Sequence, residues 1–528
     1  IGDVARTRDN RIIKGAGTLR LASRSFSGSC ACCLGRAGRR SPACLCFSGS
    51  TDVIYGKTFF EAAFSCAFAH RIRLSALTIE YLAVTEIRPN PINARRHPQK
   101  QIAMLAASIR AFGFIGPVVI KEDNSLLAGH ARLEAARAVG LERVPCVKAS
   151  HLSEAQARAY MLADNRMAEL AEWDDKSVAA ELRFLESYGI DFSIELTGFT
   201  TAEIDFRLEQ DDGSPGKPDP ADDFDPAPAA FPVTKPGDLW ALGESRLLCD
   251  DALKPDSYVR LLGEAKADMA FTDPPYNVRI DGNVSGLGKV KHREFAMASG
   301  EMSRKDYTGF LTSACQNLAT FTKPGSVHFV CMDWRHLAEM QEAGERAFSE
   351  LLNLCVWNKT NAGMGSLYRS KHELVFVWKS GTAPHINNVQ LGRHGRHRTN
   401  VWDYAGANSF GRDRSAALGM HPTVKPVALV ADAIRDCSKR GGLVLDPFAG
   451  SGTTILAAER ARRRAAAIEI DPGYVDTAIR RWQALSGKQA FQPETGLSFN
   501  EIQTLARERP AIPSDPDQGE DGDPEAGS

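Results

Sequence analysis

Apolar positions recur along this chain in two periods, and the alternation between them predicts its elements. Near the front, residues 82–84 and the segment through Ile87 read as a strand, and Pro89, Asn90 and Pro91 mark the turn after it. Residues 99–112 set Ile102, Leu105 and Ile109 on one helical face, with Gly113 as the stop. Residues 117–121 form a short β-branched strand, 126–129 lead into a helix over 130–139 closed by Gly140, and 144–147 are strand again. Ser153 and Gln156 spell a capping box that opens a third helix, and 176–210 read as amphipathic helices packed on this front module.

Between 211 and 237 the period vanishes into Pro, Asp and Ala, the composition of a stiff, solvated linker. The pattern resumes at Asp238. Residues 239–242 and 246–249 predict a short hairpin around Gly243, ended by Asp250 and Asp251. Ala270 and Phe271 end a buried strand, 303–321 form a helix, and 326–332, 351–357 and 373–378 are strands, with Asn358 and Lys359 closing the second. Residues 381–420 show no period. A helix over 427–437, a strand over 442–446, a helix from Gly452 through Arg462, a strand over 465–470 and a helix over 474–482 complete the pattern. Beyond 487 the chain reads as loop. From Asp515 onward it carries six acidic residues and no basic ones, which predicts a disordered tail.

A length of 528 residues suits two or three domains, and 43% apolar with 24% charged residues describes an ordinary globular chain. The formal charge is −1, so contact with nucleic acid must come from local basic faces. No apolar run approaches the ~18 residues that span a bilayer, and no membrane role is expected. Six of the twelve cysteines fall within residues 30–66 and six are scattered singly. The scattered ones are expected to be reduced core residues, and no metal site is expected of either set. Residues 1–70, which begin at Ile1 and contain no Met, are expected to be an extension without a fold of its own.

The most distinctive chemistry lies at Asp273-Pro274-Pro275-Tyr276. Two prolines stop the strand, because they lack an N–H and fix their own backbone angles. Asp273 and Tyr276 therefore stand at a stiff strand end. A carboxylate beside the Pro274 carbonyl can accept both hydrogens of an exocyclic amine, and the ring can stack on the base that carries it. In Asp446-Pro447-Phe448-Ala449-Gly450-Ser451-Gly452-Thr453-Thr454 a strand runs through a glycine turn into a helix, which lets a cofactor approach the backbone. Glu469 follows Gly450 by 19 residues, a spacing that suits a carboxylate on ribose hydroxyls. A dinucleotide site is the competitor, but the third glycine of that fingerprint is missing.

Together these stretches resemble the catalytic motif and cofactor loop of amino-methylating DNA methyltransferases, and the catalytic motif coming first resembles their β class. The resemblance implies an α/β fold, a Rossmann-like doubly wound sheet over 238–486, with S-adenosyl-L-methionine as cofactor. The reaction implied is methyl transfer to the amine of a base flipped out of double-stranded DNA. It assigns catalysis to Asp273, Pro274, Pro275 and Tyr276. Cofactor binding falls to Asp446, Phe448, Gly450, Gly452, Thr453, Glu469, Asp471 and Asp250, and to Lys425 within His421-Pro422-Thr423-Val424-Lys425-Pro426. Asp at the head of the catalytic motif favours N6 of adenine, with N4 of cytosine left open.

Trp357 is expected to wall the base pocket. Lys289, Lys291 and Arg293, in a glycine-rich loop over 281–300, are expected to meet DNA. So are Arg393, Arg396, Arg398 and Arg412, with Trp402 and Tyr404 stacking beside them. Residues 72–170 resemble the ParB-like N-terminal domain, on Gly129-His130-Ala131-Arg132-Leu133-Glu134-Ala135-Ala136. That resemblance implies a separate small α+β domain over 71–175, with a helical extension over 176–210, and phosphate contacts from Gly129, His130 and Arg132. Ala131 stands where the family often has a second arginine, so a DNA-contacting accessory module is expected rather than a second enzyme. The competing reading is a ParB-like DNA-binding or partition protein with an inert rear domain. A cytoplasmic location is implied, and a homodimer or a partner restriction nuclease is compatible with it.

Overall fold

The computed structural model describes residues 77–188, 190–209, 220–222, 232–278, 300–360, 367–392, 398–405 and 424–508. The front extension and the acidic tail from 515 lie outside them.

The front domain contains β1 (Ile79–Ala83), α1 (Gln99–Phe112), β2 (Val118–Ile120), β3 (Leu126–Ala128), α2 (His130–Val139) and β4 (Arg143–Lys148), with its sheet ordered β1-β4-β2-β3. Val118, Ile120, Leu126, Leu133 and Val144 form its core. Gly129 makes the turn from β3 into α2 at φ 98°, where a Cβ would lie 2.9 Å from Val118 Cγ1. That turn requires glycine. α3 (Glu154–Glu169) opens with the expected capping box, Gln156 N donating to Ser153 Oγ at 3.3 Å and Ser153 N to Gln156 Oε1 at 3.0 Å. α4 (Asp175–Ser187) and α5 (Thr201–Glu209) close on a small core of Leu182, Ile194 and Ile204.

The rear domain follows as β5 (Leu239–Leu242), β6 (Ser245–Cys249), α6 (Pro255–Leu262), β7 (Ala267–Thr272), α7 (Arg304–Phe321), β8 (Thr322–Met332), α8 (Leu337–Ala347) and β9 (Glu350–Lys359). It continues through β10 (His372–Lys379), β11 (Val401–Tyr404), α9 (Val427–Cys437), β12 (Leu443–Asp446), α10 (Thr453–Arg460), β13 (Arg464–Glu469), α11 (Pro472–Ser486) and α12 (Phe499–Glu508). The described strands form one sheet in the order β11-β9-β10-β8-β7-β12-β13-β6-β5. Pairing is parallel except where β10 meets β8 and β9 and where β5 meets β6.

Helices cover both faces of this sheet, which is why its central strands are largely apolar. Val430, Ile455, Ile479 and Phe499 pack on one face and Tyr258, Leu311 and Met340 on the other. β7 and β12 are parallel neighbours, but α7 and α10, which follow them, lie on opposite faces. The loops at their carboxyl ends therefore diverge and leave a crevice, as at other switch points of doubly wound sheets.

Three expectations need correction. Residues 490–508 are not loop: Phe491 pairs with Ala241 through two backbone bonds of 2.7 and 2.9 Å, and Phe499 packs edge-on against Trp240 with ring centroids 5.3 Å apart. The few apolar residues there are too widely spaced to show a period, yet they cover the edge strand β5. Residues 381–420 include β11, which pairs in parallel with β9 and buries Trp402. The linker is anchored wherever it is described. Val233 N and Thr234 N donate to the buried Asp476 at 2.7 and 3.0 Å, and Asp222 accepts from Val427 N at 3.1 Å at the start of α9.

Candidate active site

β7 ends at Thr272, whose hydroxyl donates to Asp446 Oδ1 at the end of β12 over 2.8 Å. This bond ties the two strand ends that flank the crevice. The proline corner follows, and the Tyr307 hydroxyl braces it by donating to the Pro275 carbonyl at 2.8 Å. Asn277, in left-handed conformation at φ 53°, accepts from Gly300 N at 3.0 Å and Met302 N at 3.2 Å. It thus staples the two ends of the loop that holds Lys289, Lys291 and Arg293, which lie outside the described residues.

Both oxygens of Asp273 are engaged. Oδ1 accepts from the Tyr276 hydroxyl, and Oδ2 faces Lys425 Nζ at 2.5 Å. Lys425 Nζ also lies 2.9 Å from Glu373 Oε2 and 3.0 Å from the Tyr276 hydroxyl. Lys359 pairs with the other Glu373 oxygen. Two carboxylates and two ammoniums thus make a neutral, largely buried cluster. Burial pushes the Asp273 carboxyl up while Lys425 holds it down. For Glu373 burial also pushes up, but Lys425 and Lys359 outweigh it and bring the carboxyl down to about 2. Burial disfavours the Lys425 ammonium, yet Asp273 and Glu373 keep it above the usual lysine range.

Lys425, expected on the cofactor, therefore sits on the Asp273 carboxylate. Trp357 is buried, with its indole N–H on the Tyr404 carbonyl at 3.0 Å and Lys425 Nζ 5.9 Å above its ring.

A cleft joins this corner to the glycine loop, with Asp273, Lys425, Asp446, Phe448, Gly450 and Thr453 in its wall. Gly450 (φ 51°) and Gly452 (φ 84°) both take left-handed backbone. At Gly452 packing is a reason, since a Cβ there would lie 2.6 Å from Ala478 Cβ of α11. Behind the loop the buried Arg481 guanidinium donates to the Ser451 carbonyl at 2.9 Å and its hydroxyl at 2.8 Å.

Glu469 accepts from Gly450 N at 2.8 Å and from Asp471 N at 2.9 Å, and burial pushes it up to about 7. Asp446 is likewise pushed up by burial, to about 6. Asp471 caps α11 by accepting from Gly473 N at 2.7 Å, and Asp250 accepts from Asp251 N at 2.7 Å one residue beyond β6. Both lie beside Glu469 at the same sheet edge, but as turn and cap residues.

Among the expected DNA contacts, Arg398 is corrected outright. It is ion-paired with Asp432 and Asp436, at 2.8 Å each, and lies 5.6 Å from the Trp402 ring centroid. It fastens β11 to α9. Trp402 and Tyr404 are packed there too, Tyr404 with its hydroxyl on Asp432 at 2.5 Å. Arg393, Arg396 and Arg412 lie outside the described residues. In the front domain, Gly129 and His130 open α2, and Arg132 Nη1 donates to the Gly116 carbonyl at 2.9 Å. Burial pushes the His130 imidazole down.

Glu373 and Arg481 escaped sequence reasoning as site residues. The available signal was an acid opening an apolar strand and an arginine inside an apolar helix face, both of which demand buried partners.

Residues 267–480 match the family model described as DNA methylase, residues 70–166 that of the ParB N-terminal domain, and residues 177–236 that of the ParB-methyltransferase HTH domain. The chain is 24% identical over 252 residues to type II methyltransferase M.HpaI of Haemophilus parainfluenzae, covering 45% of this chain and 74% of that protein. It is 27% identical over 225 residues to type II methyltransferase M2.DpnII of Streptococcus pneumoniae, covering 41% and 82%. Among solved structures, that of the M1.HpyAVI–SAM complex is 20% identical and covers 44% of this chain and 97% of that one, with a TM-score of 0.34. The chain is thus a fusion in which a ParB-like N-terminal domain and an HTH domain precede a DNA methylase domain of the N6/N4 family.

Proposed function

We propose that the chain transfers a methyl group from S-adenosyl-L-methionine to the N6 amine of an adenine flipped out of double-stranded DNA in the cytoplasm. The observation that carries this reading is the cleft shared by Asp273 and the Gly450 loop. The residues fit the cofactor: two glycines keep the loop bare, Phe448 offers a ring wall, and Glu469 and Asp250 stand at adjacent strand ends. When bound, S-adenosyl-L-methionine supplies a methyl group already activated by sulfonium.

The chain's own residues do the rest. Asp273 and the Pro274 carbonyl accept the amine hydrogens and draw the nitrogen lone pair out of conjugation with the ring. The same carboxylate faces the positive charge that grows on the nitrogen. Tyr276 supports the base, and the rigid proline corner keeps the acceptors in place. Flipping the base costs a few kcal/mol, which the DNA-contacting surfaces offset. Gly129, His130 and Arg132 are proposed to contribute phosphate contacts in the front domain.

The test is incubation of the full chain with labelled cofactor and methylation-free DNA, followed by nucleoside analysis. N6-methyladenine is expected. Label in N4-methylcytosine would overturn the choice of base, and unlabelled DNA would favour a binding protein with an inert rear domain.

A further inference from the structure

The cluster around Asp273 poses a problem for the proposed reaction. The amine needs an oxygen of Asp273, yet Oδ1 is taken by Tyr276 and Oδ2 by Lys425 at 2.5 Å. Simply pulling a buried ammonium from its carboxylate leaves two uncompensated charges, which costs several kcal/mol. The ammonium needs a second anion within reach. Glu373 Oε2 is that anion, 2.9 Å from the same Nζ.

Glu373 is otherwise out of place. It is the second residue of β10, the five after it are all buried and apolar, and its own side chain is 7% exposed. A charge there persists because Lys425 and Lys359 each hold one of its oxygens. This arrangement places an acid held by two ammoniums beside Asp273, with which it shares one of them.

We propose that Glu373 is a positioning residue that takes Lys425 off Asp273 as the target base enters, freeing Oδ2 for the amine. The exchange moves the ammonium between two carboxylates that already touch it. The entering base is neutral, so the cluster's charge stays balanced throughout. The Tyr276 hydroxyl already lies 3.3 Å from Glu373 Oε2, so an acceptor awaits it when it leaves Asp273. Lys359 acts one step further out, by keeping Glu373 charged.

The inference rests on the amino-methyltransferase reading, and its test separates the two. Glu373→Gln keeps shape and hydrogen-bonding capacity but removes the charge, so Lys425 stays on Asp273. The measurements are cofactor affinity by calorimetry, thermal melting, single-turnover transfer, and base extrusion. Extrusion is read as 2-aminopurine fluorescence in a duplex carrying the target site mapped by sequencing of modified DNA. Glu373→Gln is expected to keep cofactor affinity within about twofold while extrusion and transfer fall at least tenfold, roughly the loss of a charged hydrogen bond. Glu373→Asp restores the charge and is expected to recover most of the loss.

Normal extrusion and transfer in folded Glu373→Gln would overturn the assignment. So would equal losses in the Gln and Asp variants, since shape alone would then explain both. A wild-type chain that bound cofactor but methylated no DNA would overturn the functional reading along with it.

Discussion

At the residue scale the site runs on carboxylates placed where burial opposes their charge. Glu469 is the clearest case, pushed up to about 7 because it is enclosed, although Gly450 N and Asp471 N both donate to it. A carboxyl raised in this way stabilises the folded chain below its ordinary range of about 4.3, and that contribution is lost as pH rises through about 7. Cofactor binding runs the other way. Only the ionised carboxylate can keep both loop bonds and still accept ribose hydroxyls, so affinity is expected to rise as pH climbs through about 7 and then level off. Titration calorimetry across that range checks it, and a flat profile would remove Glu469 from the ribose site. Asp273 and Tyr276 are legible in sequence because two prolines isolate them. Glu373 is not, because its meaning depends on Lys359 and Lys425, which lie 14 and 52 residues away and meet it only in the folded sheet.

At the element scale, α1, α2, β10 and β12 are readable from the sequence to within a residue or two, whereas β8 begins four residues before the expected 326 and β1 three before the expected 82. α1 and α2 carry apolar positions at helical spacing with glycine just beyond each C-terminal end, and β10 and β12 are largely apolar runs of strand length. Elements built from small or scattered residues are hidden. α8 presents Ala343 and Gly344 because Trp378 lies directly beneath it, so no hydrophobic stripe announces the helix. α12 joins the core chiefly through Phe499, and β11 through Trp402.

Gly452 lets the start of α10 approach α11, with only 2.6 Å for a Cβ before Ala478. Gly452→Ala is therefore expected to destabilise the chain by about 2–4 kcal/mol, from left-handed strain and overpacking together. It should also weaken cofactor binding. Thermal melts with and without cofactor measure both, and an unchanged melting temperature would contradict the close-packing account.

At the scale of the whole molecule, the helical module is joined to the methylase at the sheet edge opposite the cleft. Asp205, fully buried, pairs with Arg463 at 2.8 Å and Arg440 at 2.6 Å, Glu186 also meets Arg440, and Glu209 meets Arg435 at 3.2 Å. Residues 174–209 contain nine acidic residues and three basic ones. That balance repels phosphate, and three of the acids, Glu186, Asp205 and Glu209, grip the methylase. Asp205→Ala would strand the wholly buried Arg463 and is expected to cost about 3–5 kcal/mol. The loss should appear as faster hydrogen exchange in α4 and α5, and unaltered exchange would mean the clamp is incidental.

All of these parts serve one arrangement, an acidic corner and a bare glycine turn opening into the same hollow. The most direct measurement of that claim is single-turnover methyl transfer to DNA by Asp273→Ala, with cofactor affinity measured on the same preparation. Transfer is expected to fall by about a thousandfold or more while cofactor affinity stays close to wild type. Transfer at the wild-type rate in that variant would contradict the account.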